Sequence, residues 1–463
     1  MAKTKTLTEV ASVVRHGREI VLPAEPKPME TRTAADLLYE LAAQEDQTVG
    51  LAAQFTTPPY AGALALSDVL ERLFGFRKNA GRRPTFVNVP VGHEQYRQAV
   101  WGAFEVPNTS IVLECNIYRT ESGMVAFAVS GHCKARDQVI ANELFAEVRR
   151  EIKGRSIYKG KAFQIAQKGA NLDLTRPDSI KFLATDATLR ERLILPREVQ
   201  DALEDELFTP VERYEFARDQ WGVDMNRVVL LSGTYGTGKS LSGAALAAVC
   251  EENGLAFILL ENVVALPAVI SFCREIGLDR AVVFAEDVDR VMNGNRDGDK
   301  DTLLNLISGA DKAGVELMVV LTTNDIEAIH PAMIRRFSAA IEFTLPDADC
   351  AERLMRFYGN GKVQGHLVEA PALLAGVMPA LIEDTVESAK LSAIRRGDNH
   401  IIDADLVKAA RKLATRQRLA TREMAKPQAE QVVEQFGKLL ANGQGAALAD
   451  LQNRVEEIHN QLC

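Results

Sequence analysis

The chain lacks the features that would fix a compartment, a membrane or a metal. Its six cysteines (Cys115, Cys133, Cys250, Cys273, Cys350 and Cys463) are scattered. None forms the close pairs that hold zinc or an iron–sulfur cluster, so they read as reduced thiols. No apolar run approaches the ~20 residues of a membrane helix. The first residues, MAKTKTLTEV, hold no apolar signal core. An excess of positive charge is also missing: 54 Lys and Arg stand against 63 Asp and Glu, a net charge of −9. That balance disfavours non-specific nucleic-acid binding, and no base-stacking module is recognisable. These absences predict a soluble, cytoplasmic protein with no membrane partner. What remains is ordinary globular composition, 463 residues with 47% hydrophobic and 25% charged, long enough for several domains.

One stretch carries clear chemistry. Gly233-Thr234-Tyr235-Gly236-Thr237-Gly238-Lys239-Ser240 fits the phosphate-cradling pattern G-x-x-x-x-G-K-[ST]. Arg227 to Ser232 before it is apolar and β-branched, a buried strand. Leu241 to Glu252 after it reads as a helix with Gly254 as its stop. Strand, glycine-rich turn and helix are what a nucleotide phosphate needs. The glycines let backbone N–H groups approach the phosphate oxygens, and the helix start adds its positive dipole end. In this reading Lys239 reaches the terminal phosphates and the Ser240 hydroxyl ligates Mg²⁺.

The rest of the chain falls into segments. Met1 to Gln47 holds a Pro/Glu-rich patch and a short helix over Ala34–Ala43, an arm or linker. Thr48 to Ala170 is mixed α and β. Ser110 to Tyr118 alternates, with Ile111, Leu113, Cys115 and Ile117 on one face, and a turn at Glu121-Ser122-Gly123 makes a hairpin with Met124–Val129. Asp137 to Ile152 is an amphipathic helix with Val139, Ile140, Leu144, Phe145 and Val148 on one side. Two basic runs, Arg77-Lys78 with Arg82-Arg83 and Arg149 to Lys161, read as a solvated helix end favouring cations, with an acidic or nucleic-acid partner as the rival. From about Leu195 to Leu345 strands (227–232, 256–261, 281–286, 316–322 and 340–344) alternate with helices, including 267–276 and 302–313. Apolar strands separated by helices mean a parallel sheet covered on both faces. From Pro346 the chain is helical. Near its end, Leu448, Leu451, Val455, Ile458 and Leu462 form a short heptad seam, expected to dock on its own assembly.

Nucleotide hydrolysis also needs a carboxylate on Mg²⁺, another group to activate water, and positive charge near the leaving phosphate. Glu286 and Asp287 end a buried strand, where α/β sheets place ligand sites. Asn324 follows the fourth strand in LTTND, and Arg335-Arg336 lies beyond it in HPAMIRRF. In that order, GTYGTGKS, VVFAEDVDR, LTTND and HPAMIRRF resemble the AAA family of ATPases, over about Leu195 to Leu413. The resemblance implies a P-loop NTPase fold: a five-stranded parallel α/β sheet with a helical lid, here preceded by a separate α+β domain. It divides the chain into an arm (1–47), an N-terminal α+β domain with linker (48–194), a large ATPase subdomain (195–345), a helical lid (346–425) and a helical tail (426–463). It implies ATP and Mg²⁺ as cofactors, with Gly233 to Ser240 on the phosphates and Ser240 and Glu286 on the metal. Catalysis is expected from Glu286, Asp287, the sensor Asn324, and Arg336 (with Arg335) acting on a neighbour's nucleotide in a hexameric ring.

Three departures from the family pattern matter. The acidic pair is reversed, Glu286 standing where the family has Asp and Asp287 where it has the catalytic Glu. Asn262 to Pro267, where protein-threading members carry an aromatic pore residue, reads NVVALP: either Leu266 or Val264 grips substrate weakly, or the ring does not thread. The lid helix at Pro379–Ile394 starts without arginine. The polar loop Met292–Lys300 would face the channel of a ring. The expected function is a ring-forming ATPase that remodels or unfolds proteins chosen by the N-terminal domain. A nucleic-acid motor or loader and a nucleotide-gated scaffold with weak hydrolysis are the alternatives.

Overall fold

A computed structural model describes residues 14–16, 19–21, 31–79, 84–154, 156–223, 225–288, 315–329 and 331–416. The expected helix at 302–313, the loop 292–300 and the tail with its heptad seam lie outside the described residues.

A short antiparallel strand pair, Val14–His16 with Glu19–Val21, precedes helix α1 (Thr31–Glu45) and an edge strand β1 (Thr48–Phe55). Helix α2 (Pro59–Phe74) starts on a proline, whose missing N–H costs nothing in a first turn, and stops at Gly75 in the left-handed region. A hairpin of β2 (Thr85–Gly92) and β3 (Gln95–Trp101) follows. Then come β4 (Ala103–Glu105), β5 (Val112–Arg119), β6 (Val125–Lys134) and helix α3 (Gln138–Gly154). Strands β1, β6, β5 and β4 form an antiparallel sheet in that order. Phe55, Leu66, Leu70, Leu113, Phe127 and Leu144 form its core against α2 and α3. The predicted hairpin is present, but Ile117 is 46% exposed and Val139 64% exposed. Ile117 lies near the far end of β5, while Ile111, Leu113 and Cys115 before it are buried as predicted. Val139 occupies the first turn of α3, and the buried side of that helix is Ala141, Leu144, Phe145 and Val148.

The large sheet has seven strands rather than five. Strands β7 (Ala162–Ile165) and β8 (Ile180–Phe182) precede β9 (Arg227–Gly233), β10 (Ala256–Leu260), β11 (Arg280–Ala285), β12 (Glu316–Thr323) and β13 (Ala339–Phe343). Their spatial order is β8-β7-β10-β11-β12-β9-β13. The five predicted strands are parallel, β7 adds to them in parallel on β10, and β8 closes the edge antiparallel. The two extra strands come from the segment expected to belong with the N-terminal domain. Burial explains their place. Tyr158, Phe163 and Phe182 cluster with Phe272 and cover an edge that β10 would otherwise leave open.

Helix α4 (Arg197–Leu203) lies between β8 and β9 in the chain, helix α5 (Lys239–Glu252) follows β9, and α6 (Leu266–Glu275) follows β10. The lid comprises α7 (Ala348–Tyr358), α8 (Glu369–Leu374), α9 (Pro379–Arg396) and a helix over 403–416, with their own core of Leu354, Met355, Ile382 and Leu406. Asp347 caps α7 by accepting from the Cys350 N–H at 2.7 Å.

The N-terminal domain is tied to the large sheet. Met124, Val125 and Ala126 at the start of β6 share a buried cluster with Ile270 and Cys273 of α6. In the hairpin turn Ser122 and Thr120 donate to the Glu275 carboxylate at the end of α6. At the other end of α6, the Asn262 N–H donates to the Gln167 side chain at 3.0 Å. In the segment that would grip substrate, Leu266 is 2% exposed and belongs to the core, which removes it as a gripping residue; Val264 is half-buried. Four members of the basic runs find partners within the fold, while Lys153 and Lys159 are exposed. Arg150 pairs with Glu147, Lys161 with Glu251, and the guanidinium groups of Arg77 and Arg149 lie over Phe86 and Phe55. Arg82, Arg83 and Arg155 lie outside the described residues.

Candidate active site

The glycine-rich turn connects β9 to α5 as the sequence pattern demands. Gly233 has φ +141°, and a Cβ there would lie 2.4 Å from the Phe343 carbonyl oxygen of β13. Gly238 precedes the first helical residue at φ +110°. Both positions exclude ordinary L side chains, which is why the turn needs glycine. Thr237 braces it by donating to the Thr234 carbonyl at 2.8 Å. Lys239 is 7% exposed, and its Nζ donates to the carbonyls of Gly233 at 2.6 Å and Thr234 at 2.8 Å. The ammonium is therefore stored inside the loop rather than in solvent.

Ser240 stands in the first turn of α5 and donates its Oγ hydrogen to Glu286 Oε1 at 2.6 Å. Glu286 directly follows β11. The two oxygens are adjacent and belong to different elements. A hydroxyl and a carboxylate at the start of a phosphate-facing helix fit Mg²⁺, which takes one or two protein oxygens and fills the rest of its octahedron with water and phosphate. Asp287 Oδ1 accepts from Asn324 Nδ2 at 2.9 Å. The sheet order explains the meeting: β11 and β12 are neighbours and parallel, so their carboxyl ends lie side by side.

These residues line a cleft of about 490 Å³. Its phosphate side carries Tyr235 to Ser240, Glu286, Asp287 and Asn324. The other side comes from outside the predicted motifs: Leu193 and Leu195 before α4, Leu354 and Tyr358 on α7, and Ala380 and Glu383 on α9. No local pattern marks these residues, since a leucine in a helix reads as core until the lid is seen above the loop. Burial and the nearby Glu383 carboxylate raise the Tyr358 phenol above its ordinary pKa. Tyr235 is 68% exposed at the mouth. Arg335 and Arg336 are both exposed, and neither lines the cleft of its own chain. Thr322, buried in β12, also lines the cleft, and a threonine inside an apolar strand carries no local signal of that position.

A mostly parallel sheet, a glycine-rich turn into a helix and an acidic pair on the adjacent strand define a nucleotide-phosphate-binding α/β domain. Residues 229–345 match the family described as "ATPase family associated with various cellular activities (AAA)". The chain is 28% identical over 258 residues to the ATP-dependent zinc metalloprotease FtsH 3 of Sphaerobacter thermophilus, covering 50% of this chain and 52% of that protein. It is 25% identical over 222 residues to the 26S proteasome regulatory subunit S10B homolog B of Arabidopsis thaliana, covering 43% and 55%. The solved FIGL-1 AAA domain in complex with ADP has 20% identity and a TM-score of 0.36, covering 48% of this chain and 82% of that one. Over residues 229–345 the chain carries an AAA-family ATPase domain. It spans about half the length of the curated relatives it matches. Among the described residues no helix is long and apolar enough to cross a membrane.

Proposed function

We propose that this protein hydrolyses ATP as a homo-oligomeric, hexameric ring in the cytoplasm, and uses the energy to remodel protein substrates or assemblies that its N-terminal domain selects. The observation that carries this reading is the division of the site. Lys239, the Ser240–Glu286 pair and the Asp287–Asn324 pair converge on one cleft, whereas Arg335 and Arg336 stand exposed outside it. A residue that serves a neighbour's nucleotide must be exposed on its own chain. The two relatives' printed names, a protease and a proteasome subunit, favour protein substrates. Arg149, Arg150 and Lys161 find partners within the fold, and the net charge of −9 weighs against non-specific nucleic-acid binding. Five described cysteines are buried free thiols, which suits a reducing compartment.

In this reading the turn's amides and the Lys239 ammonium bind the phosphates, and Leu195, Leu354 and Tyr358 enclose the base. Ser240 and Glu286 hold Mg²⁺, which when bound neutralises phosphate charge. Asn324 orients Asp287, and Asp287 orients the attacking water and accepts its proton. Arg336 of the neighbouring copy stabilises the charge that develops on the transferred phosphoryl group.

The test is phosphate release from Mg-ATP across a range of protein concentration, with unfolded protein and DNA as stimulants. Turnover per subunit should rise with concentration and respond to protein. Lys239→Ala should lose nucleotide binding, and Arg336→Ala should bind ATP but lose ~10³-fold in kcat, the scale of an arginine finger. Strictly monomeric protein at saturating ATP analogue removes the ring. Parental turnover by Arg336→Ala removes the finger. Tight binding with negligible phosphate release favours the nucleotide-gated scaffold, and stimulation by DNA alone favours a nucleic-acid motor.

A further inference from the structure

Asp287 has φ +51°, in the left-handed region that a side chain rarely enters. Its backbone N–H donates to Thr322 Oγ1 at 3.2 Å, and its carboxylate accepts from Asn324 two residues further along. We infer that Thr322 is a positioning residue for hydrolysis: its hydroxyl holds Asp287 in the left-handed conformation that aims the carboxylate into the cleft. This inference rests on the ATPase reading above.

The ladder between β11 and β12 ends at Ala285 opposite Leu321. Beyond it the half-buried Asp287 amide leaves the strand geometry, and an N–H withdrawn from water is costly without another acceptor. The Thr322 side chain supplies it. Thr322 is 2% exposed and β-branched, so its hydroxyl has few directions in which to point. Strain of this type persists only where the surroundings impose it, and an outlier beside reacting groups motivates a functional reading.

The same geometry is compatible with Asp at the second position of the acidic pair. Asp and Asn enter the left-handed region more readily than Glu, because a short polar side chain is tolerated there. Asp at 287 therefore fits the backbone it must adopt. Glu286 keeps the ordinary backbone and has the reach to meet Ser240.

The experiment uses the full chain with Mg-ATP and compares Thr322→Val, which keeps the shape and removes the hydroxyl, with Thr322→Ser, which keeps the hydroxyl. Thr322→Val should lower kcat about tenfold while KM and the affinity for a fluorescent ATP analogue hold, because the group lost acts on the water-activating carboxylate. Thr322→Ser should restore most of the rate. Amide hydrogen exchange at Asp287 gives a readout independent of turnover: exchange should accelerate at least tenfold in Thr322→Val and stay near parental in Thr322→Ser. A parental kcat in Thr322→Val, equal loss in both variants, or unchanged exchange overturns the inference. If the parental protein releases no phosphate, the ATPase reading fails, and the exchange comparison still decides whether Thr322 holds Asp287.

Discussion

Replacing Phe163 with alanine tests whether the strap of residues 162–182 belongs to the ATPase core. Phe163 has no exposed surface and sits on β7, hydrogen-bonded in parallel to β10. Its ring centroid lies 5.4 Å from Tyr158, 6.0 Å from Phe182 and 6.5 Å from Phe272 of α6. Truncating a buried Phe to Ala costs about 3–5 kcal/mol, as lost transfer energy plus the cavity left behind. The site is bounded by sheet backbone on one side and three rings on the others, so collapse is limited and the upper half of that range applies. For a unit of this size each kcal/mol shifts Tm by about 2–4 °C, so the expected drop is about 8–20 °C. The assay is thermal unfolding of the full chain, followed by the release of a bound fluorescent nucleotide so that the ATPase sheet itself is read. If Phe163→Ala leaves that transition within about 2 °C of parental, residues 162–182 do not support the nucleotide-binding sheet and the packing argument is wrong.

Other consequences are as direct. A Cβ at Gly243, on the first turns of α5, would lie 2.5 Å from the Phe284 ring in β11; Gly243→Ala should therefore cost about 1–3 kcal/mol by overpacking, seen as a lower denaturation midpoint, and an unchanged midpoint would deny the close helix–sheet approach. Glu275→Ala removes the acceptor of the Ser122 and Thr120 hydroxyls, and should speed proteolysis at the seam between the N-terminal domain and α6 while leaving the affinity for nucleotide within twofold, roughly the effect of a distant surface change; equal proteolysis would show that the tie is not used. Burial acts to raise the Glu251 carboxyl, but the hydrogen bonds from Lys161 and Thr185 outweigh it and hold its pKa below the ordinary value. A lowered folded pKa contributes stability that is full above the unfolded value and disappears as pH falls through the folded one, so Glu251→Gln should narrow the stability gap between neutral pH and acid, and an identical acid dependence would contradict the assignment.

The motifs were legible because each rests on a local physical demand. Gly233 and Gly238 need backbone angles that only glycine tolerates well, and an apolar β-branched run such as Arg227–Ser232 cannot leave the core. The acidic pair after β11 stood out because carboxylates at the end of a buried strand are costly without a cation. Short segments with no such demand were missed. Ala162–Ile165 is four residues long, too short for periodicity to distinguish from a loop, and becomes a strand only because β10 offers it an edge. Leu266 read as available for substrate and is in fact core, because α6 begins at that residue and turns it inward.

Sequence alone determined the phosphate loop, the five parallel strands and the residue types at their carboxyl ends, since these depend on dihedral freedom and on burial along a contiguous run. Tertiary structure decided what meets what: the two extra strands on the β10 edge, the lid leucine and tyrosine above the loop, the clasp of α6 by the N-terminal domain, and the turned backbone at Asp287 held from the neighbouring strand. Those contacts join residues tens to more than a hundred positions apart, and no spacing along a chain encodes a distance that only folding closes.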